Sequence, residues 1–264
     1  MEMKTNNELN IGCDYNPNKP IGSTKKIIEY NPIMEQFNKY SDQELFCSID
    51  KNSSPVPFGS REYFENHGYV IIKNLYNPKE LYSSVPDERG QINYFDSVNN
   101  FNHDKNEKQV PGSLSRYNHP KYKQAHTKIR LILEDILGEK LYNTYYYDRF
   151  YFAEQRLIRH KDRDACEISV SVQISSNTTK PWPFCIETPN GEERSLNLQD
   201  GWGLLYKGCE REHWRDPLKS RYSKFKRILN KIRKKSDDTY HHQIFFHYVR
   251  SNGSRVHCAN DASR

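Results

Sequence analysis

The residues best suited to chemistry in this 264-residue chain are a histidine and an aspartate two positions apart, His160 and Asp162, and a later histidine, His213. In an extended segment residues i and i+2 share a face, so His160 and Asp162 can ligate one ion from neighbouring positions. Several strand-like runs separate them from His213, which lies where an antiparallel barrel returns the chain to the first pair. Two imidazoles and one carboxylate on one face of a metal leave three positions open, a donor set that suits Fe(II). Alone, H-x-D recurs by chance in many sequences. The plain alternative is a surface turn at His160 and Asp162, with His213 a core histidine beside Trp214. His241, His242 and His247 crowd the last strand-like run and offer a substitute ligand.

The elements that must position these residues begin near Pro57. SREYFENHG reads as a helix stopped by Gly68, YVIIKNL as a buried strand, and NPKELYSS as a helix opening after an Asn-Pro turn. Residues 84–117 hold no period and read as a long loop, a type that in compact domains is usually functional or disordered. HPKYKQAHTKIRLILEDILG carries Ile129, Ile132, Ile136 and Leu137 on one face and ends on Gly138, as an amphipathic helix laid across a sheet should. Then come YNTYYYDRFYF, CEISVSVQI, WPFCIET, WGLLYKG and HQIFFHYV, short runs separated by turn residues, which predict a sandwich or barrel. Residues 1–56 are Asn-, Lys- and Pro-rich and read as an irregular arm with one short helix near 33–47, leaving 57–264 as a single domain.

Mean hydropathy is low at −0.99, yet 19 Tyr, 12 Phe and 3 Trp can bury large areas while keeping polar edges. The six cysteines stand singly, which indicates neither a zinc ribbon nor a disulfide framework. With no apolar leader and no membrane-length apolar run, an intracellular, soluble, cytoplasmic protein is expected, with no membrane partner. The net charge of +6 is local: residues 219–235 contain nine Lys or Arg and no acid, so the remainder sums to 6 − 9 = −3. That stretch lies in an insert at 217–238 whose Tyr222, Phe225, Ile228, Leu229 and Ile232 recur at helical spacing. A basic amphipathic helix can meet nucleic acid, an anionic membrane or an acidic protein, but most such faces are simply solvated, and nucleic acid is not favoured.

Together, YFENHGYVIIKNL, QVPGSLSRY, YYYDRFY, HKDRDACEIS, LQDGWGLLYKG and GCEREHWR, in that order, resemble the 2-oxoglutarate/Fe(II)-dependent dioxygenase superfamily. Within it they resemble the prolyl-4-hydroxylase-like branch and its small relatives in marine microbes and their viruses. The resemblance spans roughly residues 57–255. It implies a double-stranded β-helix (jelly-roll, cupin-like) with flanking helices, and Fe(II) held by His160, Asp162 and His213. It further implies 2-oxoglutarate chelating at two of the open positions and O2 at the third, with 2-oxoglutarate decarboxylated to succinate as an acceptor is hydroxylated. Halogenating relatives carry a small residue where Asp162 stands, so hydroxylation is the implied outcome. Virus-encoded expression in a host cytoplasm fits the same resemblance.

Such enzymes usually anchor the distal carboxylate of 2-oxoglutarate with an Arg or Lys at the start of the strand after the second histidine, where this chain reads His242-Gln243-Ile244-Phe245-Phe246-His247. The departure shifts the expectation to Arg149, which alternates with Tyr147 and Tyr151 on one strand face, bidentate pairing being what arginine does well. Tyr151 stands where the family often places a cosubstrate-contacting tyrosine, Gln173, Gln243 and His247 are further polar partners, and His247 and Arg215 are the next anchors to test after Arg149. The alternative for Arg149 is a surface pair with Asp148 or Glu154. Arg163 and Glu167 are expected to brace the metal motif as a pair. Pro111, Ser113, Ser115 and Tyr117 are placed at the pocket mouth, where the acceptor, a peptide or small molecule, enters. Two other classes stay open: a cupin-type metalloenzyme that does not use 2-oxoglutarate, and a non-catalytic module binding through 219–235.

Overall fold

The computed structural model describes residues 61–85, 102–103 and 107–262; the arm over 1–56, its short helix and most of the 84–117 loop lie outside the described residues. Helices α1 (Arg61–His67), α2 (Pro78–Leu81) and α3 (Lys123–Leu137) flank two antiparallel sheets, and α4 (Lys224–Ile232) stands in the basic insert. The large sheet runs β1 (Tyr69–Ile72), β9 (Gly203–Tyr206), β6 (Ile168–Ser176), β11 (Tyr240–Arg250), β4 (Leu141–Phe152), β3 (Leu114–Tyr117), β2 (Asn102–His103). The small sheet runs β5 (Leu157–His160), β10 (His213–Arg215), β7 (Phe184–Glu187), β8 (Glu193–Leu196). After β4 the chain crosses back and forth between the sheets, save that β7 and β8 form a hairpin within the small one, the winding of a double-stranded β-helix.

Strict alternation gives the large sheet two chemically distinct faces. Val170, Val172 and Ile174 of β6 and Ile244, Phe246 and Tyr248 of β11 join α1 and α3 in one core. Ile129, Ile132 and Leu133 of α3 are fully buried there, each a site where truncation to alanine costs about 2–5 kcal/mol. The other face carries Ser169 and Ser171, Arg149 and Tyr151, and His241, Gln243, Phe245 and His247, and looks toward the small sheet. Helix α3 stops as the sequence predicts, with Gly138 left-handed at φ 65° and its N–H donating to the Glu134 carbonyl.

Two expectations are revised. LSRY within the supposed loop is strand β3, paired with β4 through Ser115↔Arg149 and Tyr117↔Tyr147. Tyr117 stacks on Tyr147 with centroids 5.0 Å apart, so it belongs to a wall, whereas Ser113 bonds Glu107 and Pro111 is exposed. Arg163 and Glu167 do not pair: Arg163 reaches Asp261 at 2.8 Å, and Glu167 accepts from the Arg250 backbone and side chain.

Five histidines are buried among the described residues: His213, and His126, His241, His242 and His247. Burial drives His126 and His247 down to about 4 and also depresses His241 and His242, although His242 bonds Asp148. A histidine depressed in the fold contributes stability that is whole above its unfolded value near 6.5 and is lost as pH falls, because only the unfolded chain takes the proton. Each contributes about 1.4 kcal/mol per pH unit. Urea midpoints of the metal-free protein should therefore drop steeply from pH 7 to 5, by up to about 4 kcal/mol from His126 and His247 alone. His126→Asn should flatten that slope; an unchanged slope would refute the assignment.

Candidate metal centre

Strand β5 ends on His160 and β10 begins on His213, and the register places them directly opposite, ring centroids 4.3 Å apart. Asp162 follows in the turn, tied by its backbone N–H to the Gly208 carbonyl at 2.9 Å. Its Oδ1 stands 3.5 Å from His160 Nε2 and 3.6 Å from His213 Nε2. Donors about 2.1 Å from a six-coordinate ion lie about 3 Å apart in adjacent positions, so a slight closure completes the site.

The protonation pattern fits a cation. Nδ1 of His160 faces the Ile158 carbonyl at 2.7 Å and Nδ1 of His213 faces the Arg211 carbonyl at 3.1 Å. A carbonyl only accepts, so each Nδ1 carries a hydrogen and each ring turns its Nε2 to the shared centre. Burial opposes ionisation of Asp162, but His213 and His160 outweigh it and hold the carboxyl well below its usual range. Phe184 stacks on His213 and Tyr206 meets it edge-on, fixing the ring.

Gly208 belongs to this centre, within a motif the sequence reading quoted without giving it a role. A Cβ there lands 2.5 Å from Asp162 Oδ2 and 2.4 Å from the Cys166 carbonyl. Gly208→Ala should displace the carboxylate and weaken Fe(II) about 10–100-fold, the usual effect of disturbing a group that orients a ligand. Competition with a chromophoric chelator measures it, and wild-type affinity would exclude the role.

Neither a protein-family model nor a curated protein sequence matches the chain. Among solved structures it is similar to an oxidoreductase of the 2OG-Fe(II) oxygenase family from Burkholderia pseudomallei, with TM-score 0.50, 11% identity, 77% of this chain and 92% of that one. It is also similar to a Pseudomonas putida prolyl-4-hydroxylase, at TM-score 0.48, 13% identity, 72% of this chain and 96% of that one. A Trichoplax adhaerens prolyl hydroxylase, solved with a peptide fragment of hypoxia inducible factor, matches at TM-score 0.49 and 11% identity, covering 81% of this chain and 92% of that one. The fold is that of the 2OG-Fe(II) oxygenases.

Inside this oxygenase fold, His247 sits beside the carboxylate, with Nδ1 2.9 Å from Ser169 Oγ and Nε2 without a partner. Asp162, Cys166 and His247 have donor atoms within 4.8 Å of one another, so His247 is the one late histidine near the metal carboxylate. His242 faces the helices and is spent on Asp148 at 3.1 Å. Gln243 is fully buried opposite Arg149, and neither side-chain polar atom has a partner. Gln173 does not reach the interior: it is half-buried and donates to Asp200 at 3.0 Å.

Arg149 is inside, 1% exposed between the rings of Tyr147 and Tyr151, and is no surface residue. Its guanidinium already holds a carboxylate, that of buried Glu107. Among the described residues Arg215 is a fully buried guanidinium without one, two residues past His213 on the same inward face, both side chains resting on Phe184. Arg215 is 1% exposed and donates from Nη1 to the Trp182 carbonyl, while Nε and Nη2 have no partner. Among the described residues no carboxylate pairs with it, and burial pushes it down to about 10. Beside it His241 is buried with neither ring nitrogen bonded, 5.0 Å from the Trp182 ring. The motif GCEREHWR contained Arg215, but only the inward alternation of β10 shows that it lies in the barrel.

Proposed function

We propose that the chain is an Fe(II)- and 2-oxoglutarate-dependent oxygenase that hydroxylates a peptide or small molecule. The observation that carries this reading is a metal-ready triad with a buried, uncompensated arginine two residues deeper on the ligand strand. Leaving a guanidinium unpaired in an apolar box costs several kcal/mol, a cost that makes sense when an anion completes it. Two strand residues cover about 6.6 Å, a reach suited to a five-carbon dicarboxylate whose other end chelates the metal.

In this reading His160, Asp162 and His213 hold Fe(II), which supplies the O2 activation and oxidative decarboxylation when bound. The Nδ1–H donations to the Ile158 and Arg211 carbonyls fix both rings with Nε2 turned to the shared centre. Arg215 neutralises the distal carboxylate, with Tyr151, His241 and Gln243 as polar neighbours, and Arg149 holds Glu107 so that the segment from 107 to 113 closes the wall. Tyr117, Tyr145, Tyr147 and Phe245 line the interior with aromatic surface that excludes water. Nothing in that lining selects between a peptide and a small molecule.

Anaerobic titration of the purified protein with Fe(II) and then 2-oxoglutarate tests the reading. The weak visible charge-transfer band of a chelated 2-oxo acid should grow to one equivalent. Tight metal binding with no band would favour a metalloenzyme that does not use 2-oxoglutarate.

A further inference from the structure

Helix α4 is laid onto the body the wrong way round for a structural amphipathic helix. With 3.6 residues per turn, Phe225, Ile228, Leu229 and Ile232 form an arc of roughly 100°, which such a helix ordinarily turns to the core. Here no residue of α4 is buried, and Phe225, Ile228 and Ile232 are 74%, 61% and 75% exposed. The helix is held to the barrel by Arg227, paired with Glu154 at 3.0 Å, and Ile228 borders the open cleft between α4 and Ala153 while staying mostly exposed. It is nonetheless well formed, capped by Ser223 Oγ accepting from the Lys226 N–H.

Cations border the apolar arc on both edges, Lys224 and Lys231 on one and Lys226 on the other, and Arg233, Lys234 and Lys235 follow at the helix end, in a stretch without an acid. We infer that α4 is an interfacial helix that seats this protein on an anionic lipid bilayer, Phe225, Ile228 and Ile232 entering the headgroup boundary and the flanking cations meeting the lipid charge. A bilayer accepts a convex, projecting apolar arc, whereas peptides are taken in grooves. Nucleic acid satisfies the cations but leaves two isoleucines in water, and a second copy sets two strongly basic helices against each other. The expectation of a solvated face accounts for the lysines and not for the exposed Phe and Ile.

The position of α4 is compatible with catalysis. It adjoins Ala153 and Glu154, just past the end of β4, whereas the metal lies near Tyr145, whose hydroxyl meets Cys166 at 3.2 Å. Eight strand residues separate the two levels, roughly 26 Å, so a bilayer at α4 covers the end of the barrel remote from the metal.

Sedimentation of the full-length protein with phosphatidylcholine vesicles, with and without phosphatidylserine, tests this. Binding is expected only with the anionic lipid. Ile228→Ser with Ile232→Ser should reduce it more than about tenfold, and Lys226→Glu about fivefold or more, as each lost surface cation does. All three side chains are exposed, so far-UV circular dichroism and Fe(II) binding should stay at wild-type values in every variant. No binding to the anionic vesicles, or full binding by the double serine variant, overturns the inference. Tighter binding to duplex RNA or DNA than to the vesicles, unaffected by the serine changes, also overturns it in favour of nucleic acid.

Discussion

On the proposed reading, His160→Ala should abolish Fe(II) binding at micromolar metal and, with it, consumption of 2-oxoglutarate. Three protein donors would hold the ion, and removing one leaves a pair too weak to retain a labile divalent metal against water. His160 is the clean choice because its side chain is only partly buried and, outside the triad, its ring bonds only the Ile158 carbonyl two residues away. The fold should therefore survive, with unchanged unfolding of the metal-free protein. His213→Ala removes the same donor but also empties a buried position between Phe184 and Tyr206, so it should lose metal and some stability together. Asp162→Ala differs in kind: the two imidazoles retain some metal, whereas hydroxylation is lost. Calorimetric Fe(II) titration and succinate formation separate the outcomes. Wild-type succinate formation by both histidine variants would remove the assignment altogether.

What the sequence disclosed follows from how locally each feature is encoded. Helix α3 and the long strands were legible because periodicity and turn residues are local, and Gly138 ends α3 where it should. The convergence of His160, Asp162 and His213 was legible because i, i+2 geometry and the order of elements constrain it. Strand β5 was obscured: Leu157–His160 has two exposed residues and a bulge against β10, so no alternation marks it. Arg149 was rightly drawn inward by alternation with Tyr147 and Tyr151, but its partner Glu107 lies 42 residues earlier in a segment without period. Pairing across that distance is a tertiary fact. For the same reason Arg215 ranked only as a reserve anchor beside His247 until the absence of any carboxylate beside it was visible among the described residues. In α4 the local signal was correct as to helix and misleading as to burial, because amphipathicity predicts an apolar contact and not which surface supplies it.

Arg215→Gln should cut affinity for 2-oxoglutarate ten- to a hundredfold while leaving Fe(II) affinity intact, since a charge-assisted hydrogen bond contributes about 1.5–3 kcal/mol. Affinity is read from the charge-transfer band without O2, so turnover does not enter. Arg215→Lys recovers part of the loss, a point charge being a poor substitute for the guanidinium fork. The monoacid 2-oxopentanoate isolates the contact: wild type should bind it far more weakly than 2-oxoglutarate, and Arg215→Gln should bind the two about equally. Arg149→Gln should keep the wild-type preference but destabilise the fold by about 3–5 kcal/mol, because it strands the buried Glu107 carboxylate. Stability supplies a second and opposite signature for Arg215. Its displacement by burial from the ordinary guanidinium range down to about 10 corresponds to roughly 3 kcal/mol against the charged form. Arg215→Gln should therefore raise the melting temperature of the ligand-free protein, while 2-oxoglutarate raises that of wild type and barely moves that of the variant. If Arg149→Gln loses the preference for the dicarboxylate and Arg215→Gln keeps it, the anchor is Arg149, and Glu107 must leave its guanidinium whenever 2-oxoglutarate binds.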